Sequence, residues 1–165
     1  MSLIKSHLEQ YLDLDFHCNT KRYFEYLLKH GTLYELDQFA SIEDHAKYKV
    51  LNKIGFRQCY SNSVRVAKKT DLLYYEGYYL FSKFPIAINH AFNVDKKSDL
   101  VYDFTALKYL EFRNILEWFG VCIPVEEIKA LKYRINGVRT PLELNFEKLL
   151  KNEFNETNKV TRKTY

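Results

Sequence analysis

Little in this chain acts as punctuation. Five glycines and three prolines among 165 residues exclude a collagen-like or Pro/Gly-rich disordered composition. Three cysteines (Cys18, Cys59 and Cys122) are too few and too scattered for a disulfide framework. No CxxC or His-x-x-x-His pair marks a zinc site, so neither a metal nor a cofactor is expected. Nothing approaches the run of about eighteen apolar residues that a membrane span needs, and the opening MSLIKSHLEQYLDLDFH lacks the apolar core of a signal peptide. These absences predict no membrane partner and a reducing, cytoplasmic setting. Repeats, low-complexity runs and linker-like stretches are missing too.

What the chain has in quantity is tyrosine and phenylalanine, 14 and 12 residues, within a 47% hydrophobic and 28% charged composition. That balance rules out wholesale disorder and fits one domain with a single sizeable core. Tyrosine combines an apolar ring with a polar tip, so these residues suit a sheet core or a cleft lined for a peptide. The net charge of +4 is spread along the chain, and the one basic stretch is the tail, Lys159 to Tyr165. No basic-aromatic RNA-binding motif is present, so the sequence does not predict a nucleic-acid partner.

Periodicity divides the chain into a helical part (1–54), a central region (55–124), C-terminal helices (125–154) and a basic tail (155–165) of one domain. Leu3, Ile4, Leu8, Tyr11 and Leu12 have helical spacing, and a second helix over 21–30 stops at Gly31 as its C-cap. Ser41 and Asp44 resemble a capping box opening a helix over 42–53. An amphipathic helix starts at Gln58 or Cys59 and runs to about Lys69. Strands follow over 72–81, 86–94 and 99–104, rich in aromatic and β-branched residues, with a short one at 119–123. Helices return over 125–134 and 142–154, with Pro141 suited to a first helical position. Helices around an antiparallel meander predict an α+β domain.

The second and third strands carry a geometric expectation. A hairpin symmetric about the Lys96–Lys97 bond sets His90 directly opposite Asp103, on one face and close enough for a carboxylate–imidazole hydrogen bond. His90 shares its face with Ile86, Ile88, Phe92 and Val94, an apolar side where a polar group needs a partner. A buried structural pair and a catalytic pair both meet that need. Cys59 favours the second, because free N–H groups at a helix start stabilise a thiolate and can hold an oxyanion. A lone cysteine there also serves as a small buried hydrophobe.

Nucleophile on a helix start, then histidine on a strand, then aspartate on its neighbour, is an order with a resemblance. Gln58-Cys-Tyr-Ser-Asn62, Glu76-Gly-Tyr78, His90-Ala-Phe92 and Val101-Tyr-Asp-Phe-Thr105 are similar to pieces of the papain-like and transglutaminase-like cysteine enzymes. The resemblance covers about residues 55–105. It implies a cysteine-bearing helix packed on a small antiparallel sheet and a Cys59–His90–Asp103 triad acting on a peptide, isopeptide or glutamine amide through a thioester. It further implies a protein or peptide substrate, with Tyr60, Asn62, Glu76 and Asn89 in its cleft. The oxyanion-hole glutamine that papain-type enzymes carry several residues before the cysteine is missing here, which leaves Gln58 or Asn52 as candidates for that role. Two other classes stay open from the residues alone: an inactive protein of this fold that binds a protein partner through its tyrosine-rich sheet, and a nucleic-acid-associated protein using the basic tail.

Overall fold

A computed structural model describes residues 2–14, 18–109, 112–130 and 140–161. It is an α+β fold in which helices α1 (Leu3–Leu12) and α2 (Cys18–His30) precede strand β1 (Thr32–Glu35). Helices α3 (Ile42–Lys47) and α4 (Cys59–Ala67) lead to β2 (Leu73–Phe81), β3 (Phe84–Val94) and β4 (Val101–Tyr102). Then come α5 (Phe104–Tyr109), β5 (Ile115–Ile123), α6 (Val125–Ala130) and α7 (Pro141–Thr161). The five strands form one curled antiparallel sheet in the order β1-β5-β2-β3-β4.

Strict alternation divides the tyrosine-rich strands between two cores. On one face Tyr74, Tyr78, Leu80, Ala91, Phe119, Val121 and Ile123 pack under α1, α2, α4 and α6. On the other, Tyr34, Tyr75, Tyr79, Phe92, Val94 and Trp118 form a second cluster with Ala106 and Val101. Both faces of the sheet are therefore covered. Tyr78 and Tyr79 are buried, so the Glu76-Gly-Tyr-Tyr run belongs mainly to the core.

Several expected boundaries move. Strand β1 was absent from the periodicity because four residues of Thr-Leu-Tyr-Glu make too short a signal; pairing with β5 creates it. The helix expected over 42–53 ends at Lys47, where Lys49 adopts a left-handed φ of 50°, and a separate 3-10 turn covers Leu51–Lys53. Its start stands: Ser41 Oγ accepts from Asp44 N at 3.1 Å. The strand expected over 99–104 is only two residues long, because Asp103 caps α5 instead. Parts of the helix over 125–134 and of the basic tail lie outside the described residues.

Glycine enters this sheet through close approach, since no described glycine has a positive φ. Gly31 ends α2 with its N–H on Leu27 O, and a Cβ there would meet Phe119 Cζ at 2.3 Å, so the residue is a packing contact where a left-handed cap was expected. Gly77 and Gly120 face each other across β2 and β5. A Cβ on Gly77 would lie 2.2 Å from Phe119 O and 2.6 Å from Gly120 Cα. These are backbone atoms of a paired strand and cannot step aside. Gly77→Ala is expected to destabilise the fold by about 3 kcal/mol or more, at the upper end of overpacking costs, as measured by urea unfolding. A loss below about 0.5 kcal/mol would show that the curl is not set by this contact.

Candidate functional site

Beyond β4 the edge of β3 is open over most of its length, because β4 pairs only with Asn93 and Val94. Helix α4 contacts β3 there. Ser63 Oγ donates to Ala91 O at 2.9 Å, and Asn93 Nδ2 donates to Ser63 O at 3.0 Å. These two buried bonds satisfy strand-edge groups that would otherwise cost free energy, and they fix the helix along the strand. The loop before α4 is pinned by Asn62, whose amide accepts from Gly55 N at 3.0 Å and donates to Gly55 O at 2.8 Å and to Thr105 Oγ1 at 3.0 Å. Arg57 takes a left-handed φ of 54° in the turn, and the chain then enters the helix at Cys59.

This arrangement brings the half-buried Cys59 thiol within hydrogen-bonding reach of the His90 imidazole. His90 Nε2 is bonded to Asp103 Oδ2 at 2.6 Å, which leaves Nδ1 as the ring nitrogen for Cys59. Oδ2 also accepts from Trp118 Nε1 at 3.0 Å, and Oδ1 accepts from Ala106 N at 2.9 Å. The Tyr79 ring stands edge-on to the imidazole with centroids 4.7 Å apart. His90 and Asp103 are buried, at 3% and 1% exposure.

His90 and Asp103 meet by a different route from the expected one. The observed register pairs Val94 with Val101 and Asn93 with Tyr102, so the hairpin is centred between Lys97 and Ser98 rather than on Lys96–Lys97. Asp95 explains the change. Its carboxylate accepts from Lys97 N and Ser98 Oγ, both at 2.9 Å, and Asp99 turns through a left-handed φ of 57°, which adds residues to the loop. The slip is two residues. A slip of one would have turned Asp103 to the opposite face, whereas two preserves it and makes the pair diagonal.

Two opposing forces act on the imidazole. Burial favours the neutral ring, but the Asp103 charge, its hydrogen bond and the bond to Cys59 outweigh it and raise the pKa. Burial likewise opposes ionisation of Asp103, but the His90 charge and hydrogen bonds from His90, Ala106 and Trp118 hold its carboxyl below the usual carboxylate range. The coupled result is a protonated imidazole beside a carboxylate, with the thiol on the ring's other nitrogen.

The remaining candidates separate. Tyr60 and Asn89 line a cleft of about 680 Å³ on the α7 side of the sheet. Asn62 does not line it, being committed to the Gly55 loop and Thr105. Glu76 does not line it either. It is fully buried, where Oε2 accepts from Tyr74 Oη at 2.8 Å and from Leu142 N, in the first turn of α7, at 3.0 Å. Gln58 and Asn52 are exposed, and no hydrogen bond among the described residues ties either to Cys59 or His90. The Gln58 amide folds back over Gly55, where a Cβ would meet its Oε1 at 2.5 Å. Trp118 went unrecognised in the sequence; the available signal was that the chain's single tryptophan, on a strand, carries an indole N–H that needs a buried acceptor.

No protein-family model matches the chain, and neither curated proteins nor solved structures yield a significant match. Among the described residues, no helix is long and apolar enough to cross a membrane.

Two consequences can be measured. In Asp103→Asn the helix cap survives but the charge is gone, so burial dominates and His90 is expected to titrate below the free-imidazole value near 6.5, by imidazole NMR. An unchanged titration would show that Asp103 does not hold the proton. The second concerns Glu76, whose burial, only partly offset by Thr140, Leu142 and Tyr74, raises its pKa from 4.5 to about 7. The folded carboxyl keeps its proton where the unfolded one loses it. The associated stability is complete below pH 4.5 and is lost as pH climbs through about 7. On the order of 3 kcal/mol is at stake. Thermal melts should therefore fall more steeply over this range in the wild type than in Glu76→Gln, and parallel curves would contradict it.

Proposed function

We propose that this chain is a thiol-dependent hydrolase or acyl-transfer enzyme that acts on amides through Cys59, His90 and Asp103, on a papain-like or transglutaminase-like core. The observation that carries the reading is the buried relay itself: a thiol bonded to an imidazole whose far nitrogen is held by a triply bonded carboxylate. A structural His–Asp pair accounts for two of these groups but needs no half-exposed cysteine at a helix start. Chain order supports it as well, with the nucleophile helix first, then histidine, then aspartate.

In the proposed reaction the Cys59 proton rests on the His90 imidazole, and the Cys59 thiolate attacks the amide carbonyl carbon. The resulting oxyanion lies at the start of α4, whose N-cap Gln58 makes no side-chain capping bond. Other helix starts are closed by side chains: Ser2 caps α1, Ser41 caps α3, and Thr140 with Glu143 caps α7. His90 then returns its proton to the leaving amine as the C–N bond breaks, giving a thioester. Water, deprotonated by His90, attacks that carbonyl and releases the acid and the thiol. An amine in place of water gives a new amide. Asp103 stays ionised throughout and orients the ring.

Iodoacetamide alkylation at neutral pH tests the central step. Cys59 is expected to be labelled ahead of the other cysteines, and His90→Ala should slow its labelling by on the order of 100-fold. Labelling of Cys59 that is equally fast in His90→Ala would refute the pairing.

A further inference from the structure

The cleft that Tyr60 of α4 lines has a chemical character of its own. Its walls are aromatic: Tyr23 and Phe146 meet edge-to-face at 5.7 Å, and Phe24 approaches Tyr78 at 6.2 Å, with Tyr60 completing the lining. Two carboxylates, Glu143 and Glu147, stand one helical turn apart on α7 at its rim. Among the described residues no lysine or arginine lines it, although the chain as a whole carries a net charge of +4. Burial raises the pKa values of the Tyr23, Tyr60 and Tyr78 hydroxyls, and the Glu143 carboxylate adds a smaller contribution. Aromatic faces and carboxylates in one concavity attract a cation by the ring quadrupole and by charge, and they repel an anion. At about 680 Å³ the space accommodates a peptide side chain with its flanking backbone.

Position relates the cleft to the chemistry. Asn89 lies one residue before His90 on β3 and so faces the opposite side of the sheet, whereas Tyr60 follows Cys59 in the first turn of α4. Through Tyr60 the cleft adjoins the leading end of α4, which carries Cys59. We propose that the cleft is a specificity site for a basic side chain, lysine or arginine, of a peptide substrate. The proposal deepens the thiol-acyl reading and rests on it for turnover, but binding itself needs no chemistry at Cys59.

Calorimetry on the full chain carrying Cys59→Ser tests it with three acetylated, amidated tripeptides: Gly-Lys-Gly, its norleucine analogue and its glutamate analogue. The lysine peptide is expected to bind at least about 10-fold more tightly than the norleucine peptide, with the glutamate peptide weakest. Adding Glu143→Gln and Glu147→Gln should reduce the lysine preference to less than about 3-fold, because glutamine at position 143 still serves the capping box that opens α7. Equal binding of lysine and norleucine peptides, no binding of any peptide, or a preference unchanged by the two substitutions would each overturn the proposal. These outcomes are independent of the alkylation result, so failure of the cleft assignment and failure of the triad remain distinguishable.

Discussion

The structure turns on one buried carboxylate. Asp103 gathers an imidazole from β3, an indole from β5 and a backbone N–H from α5 around its two oxygens. Burying an ion costs several kcal/mol, and only a full set of charge-assisted partners offsets it. Because those partners come from three elements, the carboxylate fixes where the sheet, its edge and the following helix meet. The same bonds orient His90 toward Cys59. Removing any partner leaves charge exposed to a dry interior, which makes the arrangement rigid as well as polar.

Asp103 is one of three acidic residues through which the sheet region holds helix starts. Glu117 on β5 accepts from Ser2 Oγ at 2.8 Å and from Ile4 N at 2.9 Å, anchoring α1. Glu76 on β2 accepts from Leu142 N, anchoring α7. Asp103 does the same for α5 through Ala106. Each places a carboxyl oxygen on free N–H donors at the positive end of a helix dipole, as an anion at Asp103 and as a group that burial holds toward its protonated form at Glu76. Only Asp103 also carries an imidazole. Helix α4 is held differently, along its flank by Ser63 and Asn62, so its leading end next to Cys59 keeps no side-chain cap of its own.

Local chemistry made part of this legible in the sequence. The helix at Cys59, the long strands through Tyr74 and His90, the Ser41 cap and the Pro141 start follow from periodicity and capping rules that act within a few residues. The partnership of His90 with Asp103 was readable because strand faces alternate with period two, so a loop misjudged by two residues still brings both groups to one side. What was not readable depends on partners distant in sequence. Strand β1 exists only through β5, and Trp118 reaches Asp103 across the folded sheet. Asn62 and Glu76 were read as cleft residues because polar groups near a nucleophile look functional; in the fold one ties down a loop and the other a helix. The signal for α5 lay in Asp103-Phe-Thr-Ala106, an N-cap spacing that the aromatic, strand-like run around it concealed.

The account stands on Cys59 being a nucleophile that an imidazole serves, and acylation reports that directly. The chain is incubated with an activated phenyl ester, and the intact protein and its peptides are weighed by mass spectrometry. The account predicts a single acyl adduct on Cys59, released by hydroxylamine, absent in Cys59→Ser and much slower to form in His90→Ala. An adduct shared evenly among Cys18, Cys59 and Cys122, or one that forms equally fast without His90, would contradict it.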